Sequence, residues 1–458
     1  MDNTNWLCHQ SLSIINCHFF HLILFVTMRI SRLFTTALLA LATLSTHAQQ
    51  GAWNGELNVM GTKLPLVFNF SADGCTIDSP TQGAKGIPAQ KTTKDDGTIK
   101  VTVPMIGATF EGKMQNNEIK GTYTQNGFHI PLTLKPGQLT VKRPQTPVAP
   151  FPYKQESVSF TNAGYTFNGT LTLPQNYSKQ TPVVLMVTGS GQQNRDEELF
   201  DHKPFAVIAD ALARQGIASL RYDDRGWGDK NTDFGQFTTN DFLQDAASAL
   251  PLLRKRFNKV GILGHSEGGT IAMMLAAEGK ADFIVSLAGM AISGKETLVM
   301  QNRQAMSSIG LPKDMVDSYC ATISNILNEI AHGKKTSEIT IDGVPDNLKP
   351  ILKKSLEQAN SPYMRHIITL DASKQLSKIK CPVLALNGTK DTQVDCTANT
   401  TQLEKGLSNC KHTIKKIEGV NHLFQHCTTG NIVEYQQIEE TIAPEVLEII
   451  YSWINNEL

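Results

Sequence analysis

A serine flanked by glycines is the strongest candidate for chemistry in this sequence. Ser266 lies within GHSEG at residues 264–268, after the apolar run 260–263 and before a helix-like stretch at 270–277. Glycine two positions before and after the serine permits a tight strand-to-helix turn that exposes the hydroxyl. The helix that follows points its free N–H groups and positive dipole end at any oxyanion formed there. The pattern predicts that Ser266 is a nucleophile.

A serine nucleophile needs an acid, and Asp391 is the best placed one. It follows the strand-like run 381–386 and the turn 387–390, which predicts a position at the carboxyl end of a parallel strand, where such sheets place their sites. Asp395 is the alternative acid. Its position before a helix-like stretch at 397–407 favours an N-cap role instead.

The serine also needs a base, and His422 is the candidate. It lies in a loop after the strand-like run 412–417 and follows Asp391 along the chain, so the order is serine, acid, histidine. His412 and His426 are less well placed. We therefore expect Ser266, Asp391 and His422 to form a catalytic triad.

An oxyanion hole requires two N–H groups, one of them from the residue after the nucleophile, here Glu267. The other is expected from the glycine-containing loop that follows the apolar run 182–187. Ser190 is the predicted second donor, and Gly191 is the alternative.

Several further motifs occur in the same order and carry a resemblance. They are residues 189–191, 195–197, 221–226, 264–269, 381–388, Asp391 and residues 421–422. Together they resemble the two-domain bacterial carboxylesterases of the EstD type. That family belongs to the α/β-hydrolase superfamily, near its serine aminopeptidase and prolyl-oligopeptidase-like branches. The resemblance covers residues 155–458.

The resemblance implies an α/β fold with a doubly wound, mostly parallel sheet and a helical cap insertion. It also implies hydrolysis of carboxylic esters through an acyl-enzyme. Apolar side chains of the cap, if they line the cleft together with Phe200 or Tyr363, would favour short or medium acyl chains. The chain departs from the family at Gln192, Gln193, Asn194 and Trp227, which affects the expected pocket shape. Trp227 and Tyr363 are the residues expected to contact substrate.

Two other functions remain open. A serine aminopeptidase would use the same triad, because the fold does not determine the leaving group. An exported binding protein with an inert hydrolase domain is the other alternative, in which the amino-terminal β domain would carry the function.

The chain is expected to contain two domains. Short alternating segments between glycine, aspartate and asparagine turns predict a small all-β domain at 49–135. A proline-rich linker at 136–152 precedes the catalytic domain at 153–458. About ninety residues, 291–380, are inserted between two predicted strands and are expected to form the cap, with helices at 295–309, 313–332 and 346–358.

Composition excludes several partners. Lys plus Arg and Asp plus Glu are equal at 42 each, so the formal net charge is zero, and basic runs that would indicate nucleic acid are absent. The spacing of cysteines and histidines does not fit the common metal motifs. We expect a small-molecule ester as the substrate, with no cofactor, metal, nucleic acid or stable membrane insertion of the mature chain. The sequence does not determine the oligomeric state.

The amino terminus predicts export. Read from Met28, it contains Arg29 and Arg32, an apolar core at 33–44 and small residues up to Ala48. This pattern is typical of a signal peptide, so residues 1–48 are expected to be removed and the mature chain to be periplasmic or secreted. Export permits a disulfide among three cysteines, although free buried thiols are the default expectation. The three are Cys396, Cys410 and Cys427.

Overall fold

The computed structural model describes residues 50–59, 62–72, 74–80, 84–125, 127–138, 141–308, 310–341 and 349–457. The expected signal peptide at residues 1–48 lies outside these residues. The described chain divides into two compact units, one ending at Val141 and the other beginning at Lys142.

The first unit is a closed barrel of eight strands in sequence order. Each strand pairs antiparallel with the next, and the barrel closes where Trp53 of the first strand faces Pro136 of the last. Five of the eight strands contain the alternating segments expected from the sequence, which are residues 56–59, 64–70, 99–103, 118–124 and 129–134. The strands are β1 (Gly51–Val59), β2 (Thr62–Phe70), β3 (Cys75–Ser79), β4 (Ala84–Thr93), β5 (Ile99–Val103), β6 (Ala108–Gln115), β7 (Glu118–Gln125) and β8 (Phe128–Pro136).

Apolar side chains fill the interior of this barrel. Alternate residues of β5 are buried, as expected for a strand with one face toward a core. Phe68 and Phe110 pack at its centre with ring centroids 5.4 Å apart. The barrel is therefore built around a packed apolar core.

The second unit contains one eight-stranded sheet with the order β16-β15-β14-β13-β11-β12-β10-β9. The six strands from β11 to β16 run parallel, and the hairpin β9–β10 pairs antiparallel at one edge. The α/β sheet expected from the sequence is confirmed. Its strands are β9 (Lys154–Asn162), β10 (Tyr165–Leu173), β11 (Val183–Val187), β12 (Ala218–Tyr222), β13 (Val260–His265), β14 (Ile284–Leu287), β15 (Val383–Gly388) and β16 (His412–Ile417).

Helices cover both faces of the sheet. One apolar cluster joins the sheet to α2 (Thr239–Arg254), α3 (Glu267–Ala277) and α9 (Cys396–Gly406). A second cluster joins the other face to α1 (Pro204–Arg214) and α10 (Pro444–Glu457). The central strands are buried on both faces, which is why they read as continuous apolar runs.

The insertion between β14 and β15 is helical. It contains α4 (Gly294–Ser308), α5 (Lys313–Ala331), α6 (Lys349–Gln358), α7 (Pro362–Thr369) and the short α8 (Ser373–Leu376). A separate apolar cluster forms the core of this cap and includes Val394, three residues after Asp391. Helix α7, which the sequence did not predict, begins where the Ser361 side chain accepts a hydrogen bond from Met364 N, with Pro362 in the first helical position.

Part of the proline-rich segment expected as a linker is bound to the second unit. Arg143 donates side-chain hydrogen bonds to the carbonyls of Phe200, Gln436 and Ile438. Gln145 accepts from Thr441 N and donates to the Ile442 carbonyl. Residues from Lys142 onward therefore hold two loops of the second unit together.

Among the described helices, none combines the length and apolar character that a membrane crossing requires.

Candidate active site

Ser266 lies at the turn between β13 and α3, in a backbone conformation that non-glycine residues rarely adopt. Its φ is +53° and its ψ is −119°. A Cβ atom on Gly264 would collide with the Gly268 carbonyl, and one on Gly268 would collide with the Val187 carbonyl. The two glycines are thus needed because the backbone of this turn passes close to itself and to β11. The strain fixes the direction of the serine side chain.

Asp391 lies in the turn after β15, with its carboxylate anchored on both oxygens. Oδ1 accepts hydrogen bonds from the backbone N–H groups of Gln393 at 2.7 Å and Val394 at 2.9 Å. Oδ2 accepts a 2.7 Å hydrogen bond from His422 Nδ1, and both side chains are buried. This pairing places the proton of a neutral His422 on Nδ1 and leaves Nε2 as an acceptor.

His265, the residue before Ser266, connects the serine turn to the loop that carries His422. Its Nε2 donates a 2.9 Å hydrogen bond to the backbone carbonyl of His422, and the two imidazole rings lie 4.8 Å apart. The Nδ1 atom of His265 donates to Glu197 Oε1 at 2.9 Å. The structure therefore brings His422 alongside the residue that precedes the serine.

The surroundings of His265 favour the protonated ring. Its two ring nitrogens face a carboxylate oxygen and a backbone carbonyl oxygen, and an imidazolium donates a hydrogen bond to each. Burial acts to lower the pKa of His265, but the Glu197 carboxylate and the carbonyl of His422 outweigh it and raise that pKa above its ordinary value. Glu197 also accepts a 2.8 Å hydrogen bond from Gly189 N. One buried carboxylate thus joins the serine turn to the loop expected to form the oxyanion hole.

The loop after β11 passes directly beside Ser266. A Cβ atom on Gly189 would lie 3.1 Å from Ser266 Cβ, so only glycine allows this approach without displacement. Ser190 follows immediately and is buried, and Gly191 turns the chain with φ +92°. Glu267 is the first residue of α3, where a backbone N–H has no partner within the helix. The predicted donors thus lie on either side of the serine.

Asp224 anchors both ends of this loop. Its carboxylate accepts hydrogen bonds from Thr188 Oγ1 at 2.9 Å and from Gln193 N at 2.7 Å. Burial raises the pKa of Asp224 well above its ordinary value, although these two hydrogen bonds oppose the shift. The charged residues on either side of Asp224 form ion pairs with residues of other segments. Asp223 binds Arg195, and Arg225 binds Asp245 at 2.8 Å. These contacts fix the shape of the loop.

The side chain of Glu267 is buried beside the serine and held by two hydroxyl groups. Thr239 Oγ1 donates to Oε1 at 2.6 Å, and Tyr363 of helix α7 donates to Oε2 at 2.6 Å. Tyr363, expected to contact substrate, is buried with its hydroxyl on Glu267. Trp227, the other residue expected there, is 40% exposed.

The alternative residues lie elsewhere. Asp395 caps α9 by accepting a 2.7 Å hydrogen bond from Ala398 N, which is the N-cap role weighed for it. His426 is exposed and bonded to Glu440, and His412 lies in β16. The six cysteines that the structure describes carry free thiols.

Sequence reasoning did not assign roles to Glu197, His265 and Thr239. Glu197 and His265 lie within the motifs that carried the resemblance, but motif order does not pair residues 68 positions apart. Thr239 carried no local signal at all.

Comparisons with known proteins agree with this architecture. Residues 202–312 match the family model for serine aminopeptidase, S33. Esterase EstD from Thermotoga maritima is 26% identical over 273 residues, which is 58% of this chain. The matched region spans 60% of the length of that relative.

Solved structures are similar at low identity. Est1E from Butyrivibrio proteoclasticus is 16% identical with a TM-score of 0.40, covering 66% of this chain and 98% of that one. The Pyrococcus furiosus esterase Pf2001 is 13% identical with a TM-score of 0.41, covering 70% and 98%. From its sheet order and its strained serine turn, we conclude that the second unit has the α/β-hydrolase fold.

Proposed function

We propose that this chain is a serine carboxylesterase that hydrolyses short- to medium-chain carboxylic esters through Ser266, Asp391 and His422. The observation that carries the proposal is the buried Asp391–His422 pair, whose histidine packs against His265, the residue before a serine on a strained strand-to-helix turn. Similarity to Esterase EstD supports ester hydrolysis as the reaction class.

In the proposed mechanism, His422 Nε2 takes the Ser266 proton as the serine oxygen attacks the ester carbonyl. Asp391 holds the Nδ1–H tautomer of His422 and stabilises the imidazolium that forms. The imidazolium then protonates the leaving alkoxide, and the acyl group remains on Ser266. Water that is deprotonated by His422 attacks the acyl-enzyme, which releases a carboxylic acid and restores the serine.

The negative charge of each tetrahedral intermediate would be held by the backbone N–H groups of Ser190 and Glu267. Two features support these roles. Glu267 N–H belongs to the first residue of α3, and Gly189 brings the Ser190 loop against Ser266. Donors that are already fixed in place stabilise developing charge without reorganisation.

The cap supports a limit on the length of the acyl chain. Its apolar core includes Val394, so the cap packs against the turn that carries Asp391. Apolar side chains this close to the acid would bind an uncharged acyl group better than a charged one. It favours esters over charged peptides.

A serine aminopeptidase is the second candidate, because residues 202–312 match that family model. An aminopeptidase needs a carboxylate that is free to bind the substrate ammonium. Glu197 and Glu267, the acids next to the serine turn, are both buried and occupied by His265 and by two hydroxyl groups. Their engagement favours the esterase.

The test is initial-rate hydrolysis of p-nitrophenyl esters from acetate to octanoate, beside aminoacyl p-nitroanilides. Residues 49–458 are assayed with Ser266→Ala as the blank. We expect turnover of the shorter esters and a loss of about 10⁴ or more in Ser266→Ala, as when a triad member is removed. Ser308→Ala, an exposed serine of the cap, is the matched control and should stay within about twofold of the unmodified chain.

Two results would contradict the proposal. Ester turnover that survives in folded Ser266→Ala would remove Ser266 from the mechanism. Cleavage of anilides in preference to esters would assign the chain to the aminopeptidases.

A further inference from the structure

The carboxyl group of Glu267 occupies an unusual place for an acid. It is 1% exposed, immediately follows the proposed nucleophile and has hydroxyl groups, from Thr239 and Tyr363, on its two oxygens. Burial of an acid is unfavourable unless its oxygens are hydrogen-bonded. The glycines at 264 and 268 are required by close backbone contacts of the serine turn, and the two hydrogen bonds to the Glu267 side chain are separate from those contacts.

The two hydroxyl groups come from two different elements. Thr239 is the first residue of α2, which packs on the sheet, whereas Tyr363 belongs to α7 of the cap. Glu267 is thus held at one oxygen by the body of the catalytic unit and at the other by the cap. Glu267 directly follows Ser266 and is the first residue of α3, so these two contacts act on the residue whose backbone N–H is a predicted oxyanion donor.

Tyr363 is itself held firmly by the cap. Its ring lies in the apolar core of the cap and 6.3 Å from the ring of Phe242. Helix α7 is packed closely on α4, because a Cβ atom on Gly294 would collide with the Ile367 carbonyl. The hydrogen bond from the Tyr363 hydroxyl group therefore makes the position of the Glu267 side chain depend on how the cap is packed.

We propose that Tyr363 is a positioning residue that aligns the Glu267 N–H for the oxyanion by hydrogen-bonding the Glu267 carboxyl group. This inference rests on the proposed function. It adds the requirement that the cap be packed in its observed position for the oxyanion hole to be aligned. Misplacement of a catalytic group by about 1 Å can lower the rate about 100-fold. Loss of this single hydrogen bond is therefore expected to lower kcat.

The test compares Tyr363→Phe with Tyr319→Phe. Tyr319 is a buried tyrosine of the same cap whose hydroxyl faces Asn302 at 3.5 Å and does not reach the serine turn. We expect Tyr363→Phe to lower kcat for a p-nitrophenyl ester by about tenfold to 100-fold with KM unchanged, because a misaligned oxyanion donor acts on the transition state. Tyr319→Phe should leave kcat unchanged.

Two further variants separate alignment from general loss of packing. Glu267→Gln can still exchange hydrogen bonds with both hydroxyl groups, so it should retain more activity than Glu267→Leu. The double variant Tyr363→Phe/Glu267→Leu should be no slower than Glu267→Leu alone, because both changes remove the same hydrogen bond. Circular dichroism melting of each variant verifies that it is folded at the assay temperature.

Each opposite outcome would overturn the inference. An unchanged kcat in Tyr363→Phe would remove its positioning role. A raised KM with unchanged kcat would instead make Tyr363 a substrate contact. Additive losses in the double variant would show that Tyr363 and Glu267 act separately.

A fluorophosphonate probe distinguishes failure of this inference from failure of the proposed function. The probe phosphonylates an activated serine whatever its natural substrate, and intact mass measures the rate. Absence of labelling in the unmodified chain would overturn both proposals. Labelling of the unmodified chain at Ser266 and of Tyr363→Phe at equal rates would overturn the positioning role alone.

Discussion

The barrel interior and the interior of the second unit differ in how much polarity they bury. Within the described residues, Ser79 is the single buried polar side chain of the barrel. The second unit buries many, and several surround the serine turn, including Glu197, His265, Glu267, Asp391 and His422. Buried charge is unfavourable unless it is paired or hydrogen-bonded, and each of these groups has such a partner. The comparison indicates that apolar packing stabilises the barrel. In the second unit, hydrogen bonds and ion pairs also hold buried polar side chains in place around the proposed active site.

The largest expected effect comes from disrupting the buried hydrogen bond between Asp391, the proposed acid, and His422. Asp391→Asn should lower kcat for ester hydrolysis by about 10⁴, because the amide no longer holds the required tautomer of His422. Asp395→Asn, four residues away at the start of α9, is the matched control and should change only helix stability, by about 1 kcal/mol or less. Steady-state kinetics of both variants make the comparison. A greater kinetic loss in Asp395→Asn would exchange the two roles.

A smaller effect is expected at the His265–Glu197 pair, which contacts the backbone of His422, the proposed base. His265→Gln should lower kcat by about tenfold to 100-fold, because it weakens the contacts to Glu197 and to the His422 carbonyl. Ester kinetics beside a thermal melt measure the change. Activity equal to that of the unmodified chain would limit the pair to a structural role.

The same pair predicts a pH dependence of stability. Glu197 contacts the His265 ring, and the ring of His422, the proposed base, which is paired with Asp391, lies 4.8 Å away. Since the pKa of His265 is raised in the folded chain, its contribution to the free energy of unfolding is complete below the ordinary histidine value, about 6.5. The contribution is lost as pH rises through the raised pKa.

Urea unfolding at a series of pH values measures this dependence. The unmodified chain should lose stability on the alkaline side of pH 6.5, and His265→Gln should flatten that loss. An equal decline in the two proteins would assign the dependence to other groups.

The smallest effect on catalysis is expected in the barrel. Phe110→Ala should lower the free energy of unfolding by about 3–5 kcal/mol, because it leaves a cavity in an apolar core. Ester kcat should stay unchanged below the melting transition. Phe128→Ala is the matched control, since Phe128 is 63% exposed and its removal leaves no cavity. Thermal melts and ester kinetics on the full chain test both statements. A loss of kcat in folded Phe110→Ala would contradict the expectation that the barrel core contributes to stability and not to catalysis.

Local patterns in the sequence carried much of the fold. The apolar runs predicted the parallel strands from β11 to β15, because strands buried on both faces contain few polar residues. The glycines around Ser266 predicted the tight turn, since no other residue fits there. Three barrel strands, β3, β4 and β6, were missed, because turn residues and weak alternation obscured them. Helix α7 was missed because its eight residues are too few to show a clear period.

The sequence by itself determined the order of the candidate residues, the strands and turns that carry them and the helical character of the cap. Each of these depends on neighbours a few positions apart. Only the tertiary structure decided that Glu197 pairs with His265 and that Tyr363 of the cap binds Glu267, partners 68 and 96 positions apart along the chain. The physical reason is that a hydrogen bond between buried groups depends on how whole elements pack, which residue spacing does not encode.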